Sequence, residues 1–509
     1  MTSYDYVVVG GGTAGAVVAA RLSEDPDVTV CLLEAGPSDV DTPAVLELSR
    51  WMALLESGYD WDYLVEPQES GNSYLRHARA RVLGGCSSHN SCIAFWAPAE
   101  DLDEWAALGA DGWSFADVLP LFQRLENNAD TGDHHGRSGP VRIRSVPPKD
   151  PCGVALLEAC AQAGIPTTPF NTGKTVTHGA NWFQINAQDD GTRASASVSY
   201  LHPILGQRSN LDVRTDARVK RLVFDGKRAV GADYVAEDLI HSVRVTARRE
   251  VILSAGAIDT PKILMLSGIG PADHLHEVGV DVLVDSPGVG SSLQDHPEGV
   301  IQWDARQPMV TDSTQWWEIG IFTTTEEGLD RPDLMFHYGS VPFDMNTLRR
   351  GYPTTENGFC LTPNVTRSRS IGTVRLRTRD FRDKPRVDPR YFTDPHDMRV
   401  MTHGIRLARQ IVSQPAMAAW AGAELAPGPD ARTDDEIADY IRKTHNTVYH
   451  PSATVPMGGP LDSRLRVNGV TGLRVADGSA MPFLVAVNPC ITTMMIGEKC
   501  ADMVKEDAR

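Results

Sequence analysis

The sequence predicts an α/β protein, α+β overall, in which a Rossmann-type domain is interleaved with a second domain built on an antiparallel sheet with helices. Three observations predict it. A strand, a glycine-rich turn, a helix and a second strand follow one another within about 30 residues near the start, the signature of a βαβ unit. Apolar strand and helix patterns return at Arg249–Leu266 and Leu473–Lys505, so the first domain is assembled from separated stretches. Between about 298 and 447, short strand-like runs mix with helical ones.

The elements follow in order. Tyr4–Val9 is β-rich and mostly apolar, ends in Gly10-Gly11-Gly12-Thr13-Ala14-Gly15, and leads into a helical stretch Ala16–Leu22. Val28–Leu33 is a second apolar run that ends at Glu34. Val141–Val146 and the Asp212–Phe224 region read as strands. Ala232–Ala236 and Val243–Thr246 suggest a small antiparallel meander, and Arg249–Ser254 a separate buried strand before a helix to about Leu266. Arg375–Arg377 and similar short runs suggest the antiparallel sheet, with helices at Asp397–Ile411 and Thr433–Lys443. The last segment has the strand Leu473–Val475, the turn Ala476-Asp477-Gly478 and the helix Thr492–Lys505. That helix would pack back on the first domain. The expected boundaries are 1–148, 190–297 and 448–509 for the nucleotide domain, with 149–189 and 298–447 forming the second.

Length and composition bound the function. The 509 residues suggest two or three domains and carry 41% hydrophobic and 22% charged residues, ordinary for a soluble globular protein. The formal net charge of −18 disfavours nucleic acid and anionic membranes, and mildly attracts a cationic substrate. No stretch is long and apolar enough to span a bilayer, and the start Met1-Thr2-Ser3-Tyr4-Asp5 does not resemble a signal peptide, so a cytoplasmic protein is expected. None of the eight cysteines has the Cys-x-x-Cys spacing of a metal or redox site. They read as small core residues, and no metal is expected.

Gly10-x-Gly12-x-x-Gly15 fits the dinucleotide fingerprint. The first glycine permits the tight turn, the second lets backbone approach a pyrophosphate, and the third lets helix and strand pack closely. The free N–H groups at the helix start then hold the phosphates. Glu34, 19 residues beyond Gly15, lies where an acidic side chain accepts hydrogen bonds from ribose hydroxyls. This unit alone does not separate FAD from NAD.

Three further stretches decide it. They are Arg81-Val82-Leu83-Gly84-Gly85-Cys86-Ser87-Ser88-His89-Asn90-Ser91, then Gly256–Lys262 through Ser267-Gly268-Ile269-Gly270-Pro271, then His450-Pro451 followed by Val487-Asn488-Pro489. With the glycine fingerprint they resemble the glucose–methanol–choline oxidoreductases, from about Tyr4 to about Lys505. The resemblance implies FAD, held by Gly10, Gly12, Thr13, Ala14, Gly15, Glu34, Gly84, Gly85, His89, Asn90, Ser91, Val219, Asp477, Asn488 and Pro489. It further implies a covalent link from His89 to the flavin, as in the choline-oxidising members of the family.

The same resemblance places the chemistry. His450 becomes the general base, because an imidazole can take the hydroxyl proton near working pH. Asn488 donates to the substrate oxygen without competing for that proton. Ser91 and His337 touch the alcohol, and Val448 lies beside the flavin. Trp51, Trp317, Phe343 and Tyr449 match an aromatic cage, and Glu298 its carboxylate. A trimethylammonium group donates no hydrogen bond, so it is held by ring faces, each worth roughly 0.5–2 kcal/mol when desolvated, and by a negative charge. The implied reaction is oxidation of choline to betaine aldehyde and on to glycine betaine, with O2 reduced to hydrogen peroxide, in a homodimer.

Several positions depart from the pattern of the choline-oxidising members. Ala453 stands where glycine is usual, Pro456 for arginine and Cys490 for a second asparagine. The Gly458–Leu465 loop looks shortened, and Met481-Pro482-Phe483-Leu484 lacks the usual polar residues. These changes are expected near the flavin. A dehydrogenase with a quinone acceptor, an oxidase for another primary alcohol, and a flavoprotein without enzymatic activity remain as alternatives.

Overall fold

The computed structural model describes residues 2–130, 132, 134–173, 176–236 and 241–508. The first sheet has seven strands, in the order 218–225, 228–235, 242–253, 2–9, 30–33, 211–214, with 473–475 joined to 242–253. Thr2–Val9 runs parallel to both its neighbours, and Val30–Leu33 is buried at every position. That is the all-apolar pattern expected of a parallel strand covered on both faces.

Two expected strands are one. Val243–Thr246 and Arg249–Ser254 belong to a single twelve-residue strand, Ser242–Leu253. Residues 245–253 pair parallel with Thr2–Val9, while on the other edge residues 242–246 pair antiparallel with Arg228–Val235 and residues 251–253 pair parallel with Leu473–Val475. No glycine, proline or turn pair separates the two runs, so the ladder continues through Ala247-Arg248-Arg249.

The glycine fingerprint behaves as its spacing requires. Gly10 has φ +100, and a Cβ on Gly15 would sit 1.9 Å from the Gly10 carbonyl oxygen. Bare backbone is what lets the helix Gly15–Leu22 start so close to the strand. The helix Cys490–Asp507 packs across it through Gly497, where a Cβ would lie 2.8 Å from the Ala14 carbonyl.

The second sheet is antiparallel and has eight strands, in the order 421–426, 301–305, 358–365, 334–339, 317–323, 179–182, with 297–298 and 446–447 attached at one end. The strands Trp317–Thr323, Leu334–Gly339 and Gly358–Val365 are buried throughout. The helix Pro395–Val412, capped by Asp394, covers one face through Gly404 against Pro363. The helix Asp434–Thr444 starts in a capping box formed by Thr433 and Glu436. The run at Arg375 is not part of this sheet: Thr373–Arg375 forms a separate two-stranded ribbon with Arg386–Asp388. Short, charged and alternating, it lacks the apolar positions needed for a buried sheet.

Candidate active site

One large cavity runs from the Gly10–Gly15 turn, beneath the antiparallel sheet, to its attached strands. The nucleotide end is lined by Gly10, Gly12, Thr13, Ala14, Glu34, Val219, Gly256 and Asp477. A Cβ on Gly12 would meet no atom nearer than 3.8 Å, and one on Gly256 would meet none within 4 Å. Both positions leave backbone facing open space, the cradle a pyrophosphate needs. Gly15 and Gly84 do not line the cavity. Gly15 serves helix–strand packing, and Gly84 takes a left-handed turn at φ +86, where a Cβ would lie 2.1 Å from Ser88 Oγ.

Glu34 is buried, and its two carboxylate oxygens accept from the Gly11 N–H at 2.9 Å and the Gly36 N–H at 2.8 Å. Burial pushes its carboxyl up to about 7. The side chain therefore braces the glycine turn as well as facing the cavity. Asp477 accepts from the Gly256 N–H at 2.8 Å, the Thr260 hydroxyl at 2.6 Å and the Ser479 N–H at 2.8 Å, which ties the C-terminal turn to the start of the helix Gly256–Leu266.

Gly85, Cys86, His89, Asn90 and Ser91 line the middle of the cavity, and Pro489 and Cys490 face it from the C-terminal segment. His89 Nε2 lies 3.1 Å from the Leu54 carbonyl and 4.0 Å from the buried Asp60 carboxylate. Burial pulls its imidazole down to about 3, so the ring is neutral, the state a nitrogen nucleophile requires.

At the far end, His450 and Asn488 meet. The Asn488 amide nitrogen is 3.4 Å from His450 Nε2, and Asn488 Oδ1 is buried with no protein partner. His450 Nδ1 lies 3.0 Å from His296 Nδ1, the two rings being nearly perpendicular. Burial holds His450 well below its usual range, with His296, His337 and Arg79 adding to the effect. His337 Nε2 has no partner either, while its Nδ1 is 3.4 Å from Asn364 Nδ2 and 3.8 Å from Glu298 Oε1.

The five cage positions border this end together with His337 and Val448. Trp51 and Trp317 have ring centroids 6.5 Å apart, and the Trp51 indole N–H donates to the Gln315 carbonyl at 2.8 Å. Tyr449 stands in the left-handed region at φ +62, with its hydroxyl 3.3 Å from Asn446 Nδ2. Glu298 is buried, its Oε2 accepts from Asn446 Nδ2 at 3.4 Å, and burial pushes its carboxyl up to about 8. The strand Pro297–Glu298 that carries it pairs with Asn446–Thr447, three residues before His450.

Sequence reasoning gave no role to Arg79, Asp295, His296 or Asn446. Arg79 lines the cavity and donates to the Tyr449 carbonyl. Asp295 is buried, accepts from the His450 backbone N–H at 2.9 Å, and is also bonded by the Thr447 and Tyr391 hydroxyls. The only signal for this pair in the sequence was the Asp295-His296-Pro297 stretch.

Of the departures from the family pattern, Cys490 lines the cavity, whereas Ala453, Pro456, Gly458–Leu465 and Met481–Leu484 do not; Ala453 adjoins the lining residues Ser452 and Gly478. Ala453 is buried at φ +63, which explains why glycine is usual there: a methyl group in left-handed backbone costs about 1–2 kcal/mol. The eight cysteines are free thiols, and Cys86 and Cys490 are the two that are not buried. Among the described residues, no helix is long and apolar enough to cross a membrane.

Residues 4–298 match the N-terminal part of the GMC oxidoreductase family and residues 367–497 its C-terminal part. The chain is 69% identical to choline oxidase of Arthrobacter globiformis, over 99% of this chain and 94% of that protein. It is 37% identical to mitochondrial choline dehydrogenase of Homo sapiens, over 99% and 90%. Among solved structures, pyridoxine 4-oxidase from Mesorbium loti superposes with a TM-score of 0.91 at 31% identity, covering 98% of each chain.

Proposed function

The chain belongs to the GMC oxidoreductase family, and from that premise we propose that it is an FAD-dependent choline oxidase. One observation carries the substrate reading: Trp51, Trp317, Phe343, Tyr449 and the buried Glu298 line the same cavity as His450 and Asn488, and a chain of contacts through His337 and Asn446 joins them. The cage and the carboxylate suit a trimethylammonium group. The imidazole and amide suit the hydroxyl carbon at the other end of the molecule.

The residues fit the cofactor. Gly12 and Gly256 leave backbone facing the space a pyrophosphate would fill, Glu34 and Val219 border the same end, and neutral His89 is available to attach the flavin. FAD, when bound, supplies the acceptor for the hydride leaving the carbinol carbon. The chain's own residues do the rest. The cage fixes the head group and so the distance of the carbinol from the flavin. His450 takes the hydroxyl proton, Asn488 donates to the oxygen as charge grows there, and Ser91 and His337 complete its hydrogen bonds. Betaine aldehyde, once hydrated, is again an alcohol, so a second passage yields glycine betaine. Each turnover returns two electrons to O2 as hydrogen peroxide.

The test is the flavin spectrum of the purified protein mixed anaerobically with choline and with a panel of primary alcohols, followed by admission of air. Bleaching by choline at low concentration and stoichiometric peroxide are expected. Bleaching only by another alcohol would replace the substrate, and reoxidation by a quinone without peroxide would replace the acceptor. On the same reading the working form is a cytoplasmic homodimer, which sedimentation and cell fractionation would check.

A further inference from the structure

We propose that His296 is a positioning residue that fixes the tautomer of His450, so that Nε2, the nitrogen facing Asn488, is the one that accepts the alcohol proton. This rests on the reading of His450 as the base.

Both histidines are held by one short ladder. His296 immediately precedes the strand Pro297–Glu298, which pairs with Asn446–Thr447, and the Val448 N–H donates to the His296 carbonyl at 3.1 Å. Asp295 accepts from the His450 backbone N–H at 2.9 Å. The left-handed backbone at Tyr449 then turns His450 toward its partner. The backbone is thus fixed on both sides of the imidazole pair before any substrate arrives.

The two Nδ1 atoms are 3.0 Å apart, a distance that requires one proton between them. Neither ring carries a charge, since burial pulls His296 down to about 4 and His450 well below its usual range. One Nδ1 therefore donates and the other accepts. The far side of His450 decides which. His450 Nε2 faces the amide nitrogen of Asn488 at 3.4 Å, a donor that suits a lone pair. The His450 proton therefore sits on Nδ1 and is donated to His296 Nδ1. His296 then carries its own proton on Nε2, which is buried with no hydrogen-bond partner. The opposite arrangement sets an N–H of His450 against the N–H of Asn488.

The consequence for the proton step is direct. The alcohol O–H bond breaks, an N–H bond forms at His450 Nε2, and the electron pair stays on the oxygen. The imidazolium so formed keeps its Nδ1–H bond to His296 throughout. The charged and titratable groups that face His450 are His296 and His337, the Arg79 guanidinium, and Asp295 through the backbone amide, with Glu298 across the same cavity. Without His296, the ring is free to place its proton on Nε2, where it cannot act as a base.

The test compares His296→Leu, which removes the acceptor, with His296→Asn, whose side-chain oxygen can stand near the position of Nδ1. The readout is the rate constant of anaerobic flavin reduction by choline across pH, with flavin content and tetramethylammonium affinity as measures of an intact site. His296→Leu is expected to slow reduction about 30-fold or more at every pH while affinity stays within about twofold, and His296→Asn to restore most of the rate. A Leu variant with the parent rate overturns the inference. So does an Asn variant as slow as the Leu variant, because that marks packing alone. His450→Ala is measured alongside. If it reduces flavin normally, the base reading itself fails. If it is slow while His296→Leu is normal, only the present inference fails.

Discussion

The rings of Trp317 and Phe343 meet edge to face, with centroids 5.2 Å apart and planes at 85°. Each ring fixes the tilt of the other, so both present defined surfaces to the cavity that Glu298 also borders. A cage that is rigid before binding loses little freedom on closing around a cation.

Glu298→Gln should separate charge from shape. Choline affinity is expected to fall by about 100-fold, the scale of losing a desolvated charge pair, while the neutral isostere 3,3-dimethylbutanol loses no more than about threefold. Steady-state and binding measurements on both ligands check it. Equal losses would remove the ionic role.

The pH dependence of cation binding follows from the same carboxyl. Burial raises Glu298 to about 8, so below that pH it is a neutral acid surrounded by Asn446, Thr362, His337 and Tyr449. A quaternary ammonium ligand pairs with the anion and must displace the proton. Affinity for tetramethylammonium should therefore rise by about tenfold per pH unit toward 8 and level off above it, with a proton released on binding. Calorimetry in buffers of different ionisation heat reads that proton. A flat profile would contradict the assignment.

His89→Asn should leave a protein that binds flavin reversibly. After acid precipitation, the parent is expected to keep its yellow colour in the pellet, and the variant to lose it to the supernatant. Flavin retained in the variant's pellet would show that another residue carries the link.

Ala453→Val should be damaging although it adds only two methyl groups. The site is buried at φ +63, where a β-branched side chain is a genuine outlier, and a loss of about 2 kcal/mol or more is expected. Ala453→Gly, which relieves the backbone strain but adds chain entropy, should stay within about 1 kcal/mol of the parent. Thermal and denaturant unfolding of both variants decide this, and an unaltered Tm for Ala453→Val would refute the strain argument.

The parts of this protein that could be read from its sequence are those whose physics is local. The Gly10–Gly15 turn, the strand and helix around it and the acid at Glu34 depend on neighbours within one βαβ unit, and the structure has them where spacing put them. Trp51, Trp317 and Phe343 could be placed at the cavity wall because the short stretches around them resemble a family pattern. The fused strand Ser242–Leu253 was not visible, because its halves serve different partners and each half looks complete alone. The His296–His450 pair was not visible either, since 154 residues separate the two and only the ladder of Pro297–Glu298 with Asn446–Thr447 brings them together. The double engagement of Glu34 by the Gly11 and Gly36 amides likewise requires coordinates.

The shared strand Ser242–Leu253 also bears on how the protein is made. Its inner edge is completed by Leu473–Val475, and the helix Gly15–Leu22 gains its cover from Cys490–Asp507. While the ribosome is still translating the antiparallel sheet, the first glycine turn is already outside but its lid and its neighbouring strand do not yet exist. That apolar helix lacks this cover until Cys490–Asp507 has been translated. Because Asp477 also ties down the Gly256 turn, the nucleotide end of the cavity is complete only once the C-terminal segment has folded back.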